Sequence, residues 1–406
     1  MKTRKAEIIC TGSELLSGQI NLYVPLFHER LSGLGFEITR EQSCGDSLAS
    51  IKDCLAGALA RTRLVITCGG LGPTFDDLTR QAAARLLGRR LVYSETCAQI
   101  LRHNYGLSEL PPNFRDQCLI VEGAKQLENA NGTACGQVLT EKGRMLVLLP
   151  GPRREWEPMF SSFLDDEIME FFGNAVPVTQ VKLRTAGLKE PEAEKLVKPA
   201  MARFPSLRYT ILAGPGTVDF IIAGDDTRGL VTRAAAACRK LLGRSVYCRG
   251  GLTLAGAVGE KLKRAGRTVA GAESCTGGLV SQLITENAGS SDYFNGCAVT
   301  YSNEAKSALL GVKRSTLEKH GAVSGECAAE MAAGARKAFG SDYAYSVTGV
   351  AGPGGGTAAK PVGLVWLGLA GPGLKKVYSR KFRGERANVR TFAANFILDE
   401  LRKVIK

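Results

Sequence analysis

Three times along this chain a short apolar run ends in a glycine-rich turn that opens into a helical pattern, and this repetition constrains the fold more than any other feature. Ala6 to Thr11 runs into Gly12-Ser-Glu-Leu-Leu-Ser-Gly-Gln19. Leu64 to Thr67 runs into Cys68-Gly-Gly-Leu-Gly-Pro-Thr-Phe-Asp-Asp-Leu-Thr79, and Thr268 to Ala270 runs into Gly271-Ala-Glu-Ser-Cys-Thr-Gly-Gly278. Strands that alternate with helical stretches, here Ser47 to Ala60 and Leu78 to Leu87, predict an α/β fold with a parallel sheet. In such sheets ligands sit beyond the carboxyl ends of the strands, where the glycine turns gather and phosphates can approach the backbone closely.

A chain of 406 residues exceeds what one core usually serves, and at roughly 150 residues per domain it predicts two or three. Residues 174–246 read as a small α+β insert: strand Val178 to Leu183, helix Pro191 to Phe204, strands Tyr209 to Leu212 and Val218 to Ile222, helix Thr227 to Leu242. Tyr247 to Leu252, with Gly250-Gly251, reads as the linker into the last domain. A hydrophobic content of 44% without any run of about eighteen apolar residues predicts a globular protein with no membrane span, and the opening Met1-Lys-Thr-Arg-Lys lacks a signal h-region, so a cytoplasmic location is expected. The twelve cysteines include no Cys-x-x-Cys spacing and many lie in apolar runs, which reads as buried free thiols in a reducing compartment.

The densest chemistry lies between residues 271 and 306. Ser274 falls on a strand-to-helix turn, which exposes a hydroxyl and aims backbone N–H groups at an oxyanion or a phosphate. About thirty residues on, Tyr301-Ser-Asn-Glu-Ala-Lys306 supplies an amine that can take a serine proton if burial keeps it neutral. The three histidines, His28, His103 and His320, form no Ser/His/Asp or metal-binding pattern, so a Ser-Lys arrangement is the simplest covalent option. Two other readings stand beside it: a helix cap with a solvated lysine, and Cys275 as nucleophile.

The runs Ala272-Glu-Ser-Cys-Thr-Gly-Gly-Leu, Ala288-Gly-Ser-Ser-Asp-Tyr-Phe, Val299-Thr-Tyr-Ser-Asn-Glu-Ala-Lys, His320-Gly-Ala-Val-Ser, Val347-Thr-Gly-Val-Ala-Gly-Pro and Lys360-Pro-Val-Gly closely resemble the C-terminal domain of the CinA family. The resemblance covers residues from about 250 to the end. It implies a nicotinamide mononucleotide deamidase, which releases ammonia to give nicotinic acid mononucleotide and needs no cofactor. It implicates Ser274, Ser291, Tyr301, Lys306 and Thr348 in catalysis, with Ser274 or Ser291 as nucleophile and Lys306 as base. Gly277, Gly278 and Gly349 would contact the substrate, and Arg386, or its neighbours Arg383 and Arg390, would clamp its phosphate.

In the first 170 residues, Asp76 and Asp77 can hold a divalent cation over a diphosphate, oxygen ligands and a phosphate being what magnesium favours; alternatively Asp77 or Thr79 only caps a helix. Order and spacing resemble the molybdopterin-cofactor-binding fold, and Asn131-Gly-Thr-Ala with Leu149-Pro-Gly-Pro and Glu155 extends the match to the N-terminal half of CinA proteins. This implies an ADP-ribose pyrophosphatase dependent on magnesium or cobalt. The matching positions are Gly12, Glu14, Asp46, Gly69, Gly70, Gly72, Asp76, Asp77, Thr79, Asn131, Gly132 and Thr133, closed by Gly151 and Pro152. The chain departs from the family at Gly18 to Pro25, which lacks a second asparagine, at Cys135, where proline is usual, and at Arg153 to Trp156.

The expected architecture is therefore a molybdopterin-binding-like parallel-sheet domain (1–173), a small α+β connector that resembles a KH fold (174–246) and an α/β CinA deamidase domain (247–406). The resemblance also implies self-association, with a dimer expected. Small nucleotide substrates account for the net charge of +14; basic residues are dispersed and no RNA-binding signature accompanies them, which argues against nucleic acid. A competence- or recombination-associated binding protein with inactive domains is the rival class.

Overall fold

The computed structural model describes residues 4–21, 23–173 and 178–406. Leu22, in the departing segment Gly18 to Pro25, and residues 174–177, where the connector was expected to start, lie outside the described residues. The chain divides into two compact units, Met1–Thr179 and Gln180–Lys406.

The strands of the first unit are β1 (Arg4–Thr11), β2 (Phe36–Cys44), β3 (Leu64–Cys68), β4 (Leu91–Tyr93), β5 (Leu119–Val121), β6 (Lys125–Leu127), β7 (Gly136–Glu141) and β8 (Arg144–Leu149). Six of them form one sheet in the order β2-β1-β3-β8-β7-β6, while β4 and β5 pair separately. β2, β1, β3 and β8 are parallel, as expected, whereas β7 and β6 add antiparallel. The reversal follows from the two-residue loop Lys142-Gly143, both with positive φ (48° and 73°), the geometry that joins antiparallel strands tightly.

Successive side chains of these strands feed opposite faces. Ile8 and Ile66 pack with the helix Val24–Gly33 and the helix Arg153–Met159, where Phe27 stacks on Trp156 at 4.4 Å. Ile9 and Val65 pack with the helices Leu48–Arg61 and Thr79–Leu87 on the other face. Covered on both sides, β1, β2, β3 and β8 end side by side at one edge, with Thr11 beside Cys44 and Cys68 beside both Cys10 and Leu149.

Two further sheets follow. β9 (Val178–Ala186), β10 (Arg208–Gly214), β11 (Thr217–Asp225) and β12 (Val246–Arg249) are ordered β10-β11-β9-β12 and carry the helices Glu190–Met201 and Leu230–Leu242. The expected linker is thereby corrected: Tyr247 to Arg249 belong to β12, antiparallel to β9, and only Gly250 to Leu252 connect. The run Val246-Tyr-Cys favours a pleated, half-buried surface, and the glycine pair then ends it.

The last sheet comprises β13 (Val269–Glu273), β14 (Phe294–Val299), β15 (Tyr343–Gly349), β16 (Leu364–Gly371) and β17 (Leu374–Lys381), in the order β14-β13-β15-β16-β17. β14, β13 and β15 are parallel, and β16 and β17 complete it antiparallel. Helices Leu254–Ala265 and Arg386–Val404 cover one face and helices Asn303–Leu310 and Gly325–Ala338 the other. Among the described residues no helix is long and apolar enough to cross a membrane.

Candidate active site

At the end of β13 the ladder continues one residue beyond the strands. Thr300 N–H donates to Glu273 O (2.8 Å) and Ser274 N–H donates to Val347 O (2.9 Å), which fixes Ser274 between the ends of β14 and β15. The chain then reverses over Cys275 to Gly278, a turn that requires Gly277 and Gly278 at φ 59° and 92°. Glu273 sits fully buried inside this turn, and its carboxylate accepts hydrogen bonds from the N–H groups of Gly278, Val280 and Ser281, from Ser281 Oγ and from Tyr345 Oη. Backbone donors expected to face a substrate anion are therefore occupied by the chain's own carboxylate, Gly278 among them. The acid beside Ser274 was legible as a turn residue, but its inward orientation was not.

Lys306 arrives from the first turn of the helix Asn303–Leu310, which Ser302 caps by accepting from Ala305 N–H. Its Nζ lies 3.2 Å from Ser274 Oγ and 2.8 Å from Thr300 O. Ser274 is 9% and Lys306 1% exposed, and no carboxylate forms an ion pair with Lys306 among the described residues. Burial pulls the amine below the usual lysine range, against the opposing pull of Cys327, Cys275 and Glu304. Burial likewise pushes the Cys275 thiol up to about 12, which makes it a poor source of thiolate at neutral pH.

The other expected residues are placed less uniformly. Tyr301 is exposed, and its hydroxyl accepts from Arg386 Nη2 (2.9 Å) instead of meeting the amine. Arg386 Nη1 also donates to Gly352 O (2.8 Å), which ties the guanidinium to the Gly-rich loop after Gly349. Arg390 donates twice to Thr276 O and braces the turn that carries Ser274, a role that three close arginines in the sequence left unassigned. Thr348 is 1% exposed and its hydroxyl donates to Ala322 O, so it holds the 320–324 segment. Ser291 lies exposed in the turn before β14, whereas Lys306 packs beyond that strand's other end. Six strand residues separate those ends by roughly 20 Å, so Ser291 is not brought to the amine.

In the first unit, the ends of β1, β3 and β8 enclose a cleft of about 350 Å³ lined by Gly12, Glu14, Asp46, Gly69, Gly70, Gly72, Asp76, Asp77, Thr133, Gly151, Pro152 and Glu155, among others. A side chain at Gly70 would run into Thr79 Oγ1, which lies buried beneath the loop and donates to Gly69 O. Thr79 thus supports the wall without lining it. Asn131 also lies outside the lining: its amide donates to Arg154 O and pins the 129–135 loop to the following helix. Asp77 accepts from Thr74 N–H and Oγ1, closing its own turn, while Leu78 occupies the helix N-cap position.

The oxygen-only donor set Glu14, Asp46, Asp76, Asp77 and Glu155 fits a hard divalent cation in kind. Among the described residues, no three His, Cys, Asp or Glu side chains already converge to hold one.

These features define an α/β protein with two separate strand-end sites, one a buried Ser-Lys pair and the other an acidic, glycine-lined cleft. Residues 252–405 match the family described as "CinA C-terminal domain", and residues 7–170 match that described as "Probable molybdopterin binding domain". A CinA-like protein of Syntrophomonas wolfei is 38% identical over 415 residues, covering 100% of this chain and 99% of that one. A CinA-like protein of Kosmotoga olearia is 39% identical over 409 residues, with 99% of each chain covered. The chain belongs to the CinA family. Among solved structures, a competence-damaged protein (CinA) superfamily member from Klebsiella pneumoniae is 33% identical, covering 37% of this chain and 95% of that one at a TM-score of 0.37. The competence/damage inducible protein CihA from Agrobacterium tumefaciens is 40% identical, covering 36% and 91% at 0.35.

Proposed function

We propose that the C-terminal domain hydrolyses the carboxamide of nicotinamide mononucleotide, with Ser274 as nucleophile and Lys306 as its base. The observation that carries this reading is a buried amine, in no ion pair among the described residues, 3.2 Å from a serine hydroxyl. Thr300 O accepts one N–H of the amine and holds Nζ beside Ser274 Oγ, so that the amine, once neutral, can present its lone pair to the hydroxyl. The amine takes the serine proton as Oγ attacks the amide carbon, then returns it to the leaving nitrogen; ammonia departs and water releases nicotinic acid mononucleotide from the acyl-serine. Arg386, with two of its N–H groups held by Gly352 and Tyr301, offers the others to the phosphate. The test is ammonia release by the intact protein: Lys306→Ala should cut the rate by about 10²- to 10⁴-fold, and a rate within a few-fold of the parent would sink the assignment.

A second reading rests on the acidic cleft. We infer that it takes the diphosphate of ADP-ribose together with magnesium or cobalt, using Asp76 and Asp77 as ligands. When bound, such an ion supplies charge neutralisation and an activated water. The chain itself contributes close backbone approach at Gly69 and Gly70, with Thr133 in the lining held by its hydroxyl's hydrogen bond to Gln117 Oε1. Failure to find AMP and ribose 5-phosphate with either ion would leave this unit as a binding module. Salt-sensitive nucleic-acid binding with both assays empty would instead favour the competence-associated class.

A further inference from the structure

Behind the wall of the acidic cleft lies a second chemical cluster that neither reading uses. Cys97, in the first turn of the helix Glu95–Tyr105, places its sulfur 2.8 Å from that of Cys135, and both residues are buried, at 0% and 3% exposure. Cys135 directly follows Thr133 and Ala134, which line the cleft. Arg80 is buried beside the pair, 3% exposed; its Nη2 donates to Gly72 O (3.2 Å), its Nε has no partner, and no carboxylate forms an ion pair with it among the described residues.

The carboxylates of Asp77 and Asp116 act on this guanidinium first and the two cysteines after them, so the pair lies within reach of its charge. We propose that Cys97 and Cys135 form a redox-active pair, which hydrogen peroxide converts to a disulfide.

The two thiols are unequal in the way this chemistry requires. Cys97 is drawn below the ordinary thiol range, first by the hydrogen bond from Cys135, then against burial by Ser94 and by the charge of Arg80. Cys135 moves the opposite way, through the same hydrogen bond and through burial. Burial alone pushes Cys238 up to about 11, so a lowered thiol is not the rule in this chain. Cys97 lies in the first turn of the helix Glu95–Tyr105, where the helix dipole favours a thiolate, so we assign it as the attacking thiol and Cys135 as the resolving one.

The step balances without another partner. The Cys97 thiolate bonds to one peroxide oxygen as the O–O bond breaks and hydroxide leaves, giving a sulfenic acid. The Cys135 sulfur then displaces the sulfenic hydroxyl, which departs with the Cys135 proton as water, and the S–S bond forms. The product ties the helix Glu95–Tyr105 to the loop that carries Thr133 into the cleft.

The test treats the intact protein with hydrogen peroxide at neutral pH and maps its peptides without reduction. Two of the twelve thiols should disappear together, in one peptide pair linking residues 97 and 135 that dithiothreitol releases. Cys118→Ser should form the link unchanged, whereas Cys135→Ser should stall at a dimedone-trapped sulfenic acid on Cys97. Persistence of both thiols, oxidation of Cys97 past sulfenic acid without a link, or a link from Cys97 to Cys118 would each overturn the pair.

Discussion

At the residue scale, the activity proposed for the C-terminal domain turns on the protonation state of Lys306. Its pKa is lowered by burial, and only the neutral amine can accept the Ser274 proton. The sign follows directly: as pH falls through the lowered value the amine gains a proton and kcat/KM falls, and as pH rises the rate climbs to a plateau. The inflection should lie below about 10.4, the ordinary lysine value. A rate profile that keeps climbing through that value would show the amine is not tuned for the reaction. Lys306→Arg, which stays protonated at any accessible pH, should be as inactive as Lys306→Ala. Cys275 supplies the matching control. With its thiol pushed up to about 12 it holds too little thiolate to attack, so Cys275→Ala should retain ammonia release within a few-fold while Ser274→Ala loses it. The reverse outcome would move the nucleophile by one residue.

At the element scale, the turn that presents Ser274 is held from within by Glu273 and from outside by Arg390. Removing the buried carboxylate strands the N–H groups of Gly278, Val280 and Ser281 and leaves the Tyr345 hydroxyl, which burial keeps protonated, with Ser281 Oγ as its remaining partner among the described residues. Glu273→Gln puts an amide N–H against those donors and should destabilise the protein by about 3 kcal/mol. The measurement is the denaturant midpoint at unchanged slope; a shift worth under about 0.5 kcal/mol would mean that water replaces the carboxylate. How far the sequence reached is clearest at this same turn. The apolar run, the glycines and the placement of Ser274 and Lys306 were legible, because local periodicity and backbone conformation are written in adjacent residues. What Glu273 and Arg390 do was not, since it depends on where side chains from β15 and the helix Arg386–Val404 meet. Ser291 illustrates the opposite failure: motif order placed it with the site, while the direction of β14 carries it to the far end of the sheet. The antiparallel strands β7 and β16 escaped for a related reason, since a buried run has the same appearance in either direction, and the edge strands β6 and β17 are too polar to stand out as strands at all.

At the scale of the whole molecule, the charge balance argues for two chemistries with different ion requirements. The chain carries a net charge of +14, yet the cleft in the first unit is lined by Glu14, Asp46, Asp76, Asp77 and Glu155, and no lysine or arginine lines it among the described residues. Two like charges about 4 Å apart near a protein surface repel by roughly 4 kcal/mol, so a diphosphate cannot settle among these carboxylates unless a divalent cation offsets them. On the function proposed above, the Ser-Lys site would need no such help, because an amine would activate its nucleophile and an arginine would clamp the phosphate. A single experiment on the intact protein separates the two: ammonia from nicotinamide mononucleotide and AMP from ADP-ribose, each followed with and without chelator. Chelation should lower AMP release by at least about a hundredfold and leave ammonia release within about twofold, with magnesium or cobalt restoring the first. Asp77→Ala should reproduce the chelated state for AMP alone. Equal loss of both products on chelation would place a metal in the amide chemistry and remove the reason for assigning Lys306 as its base.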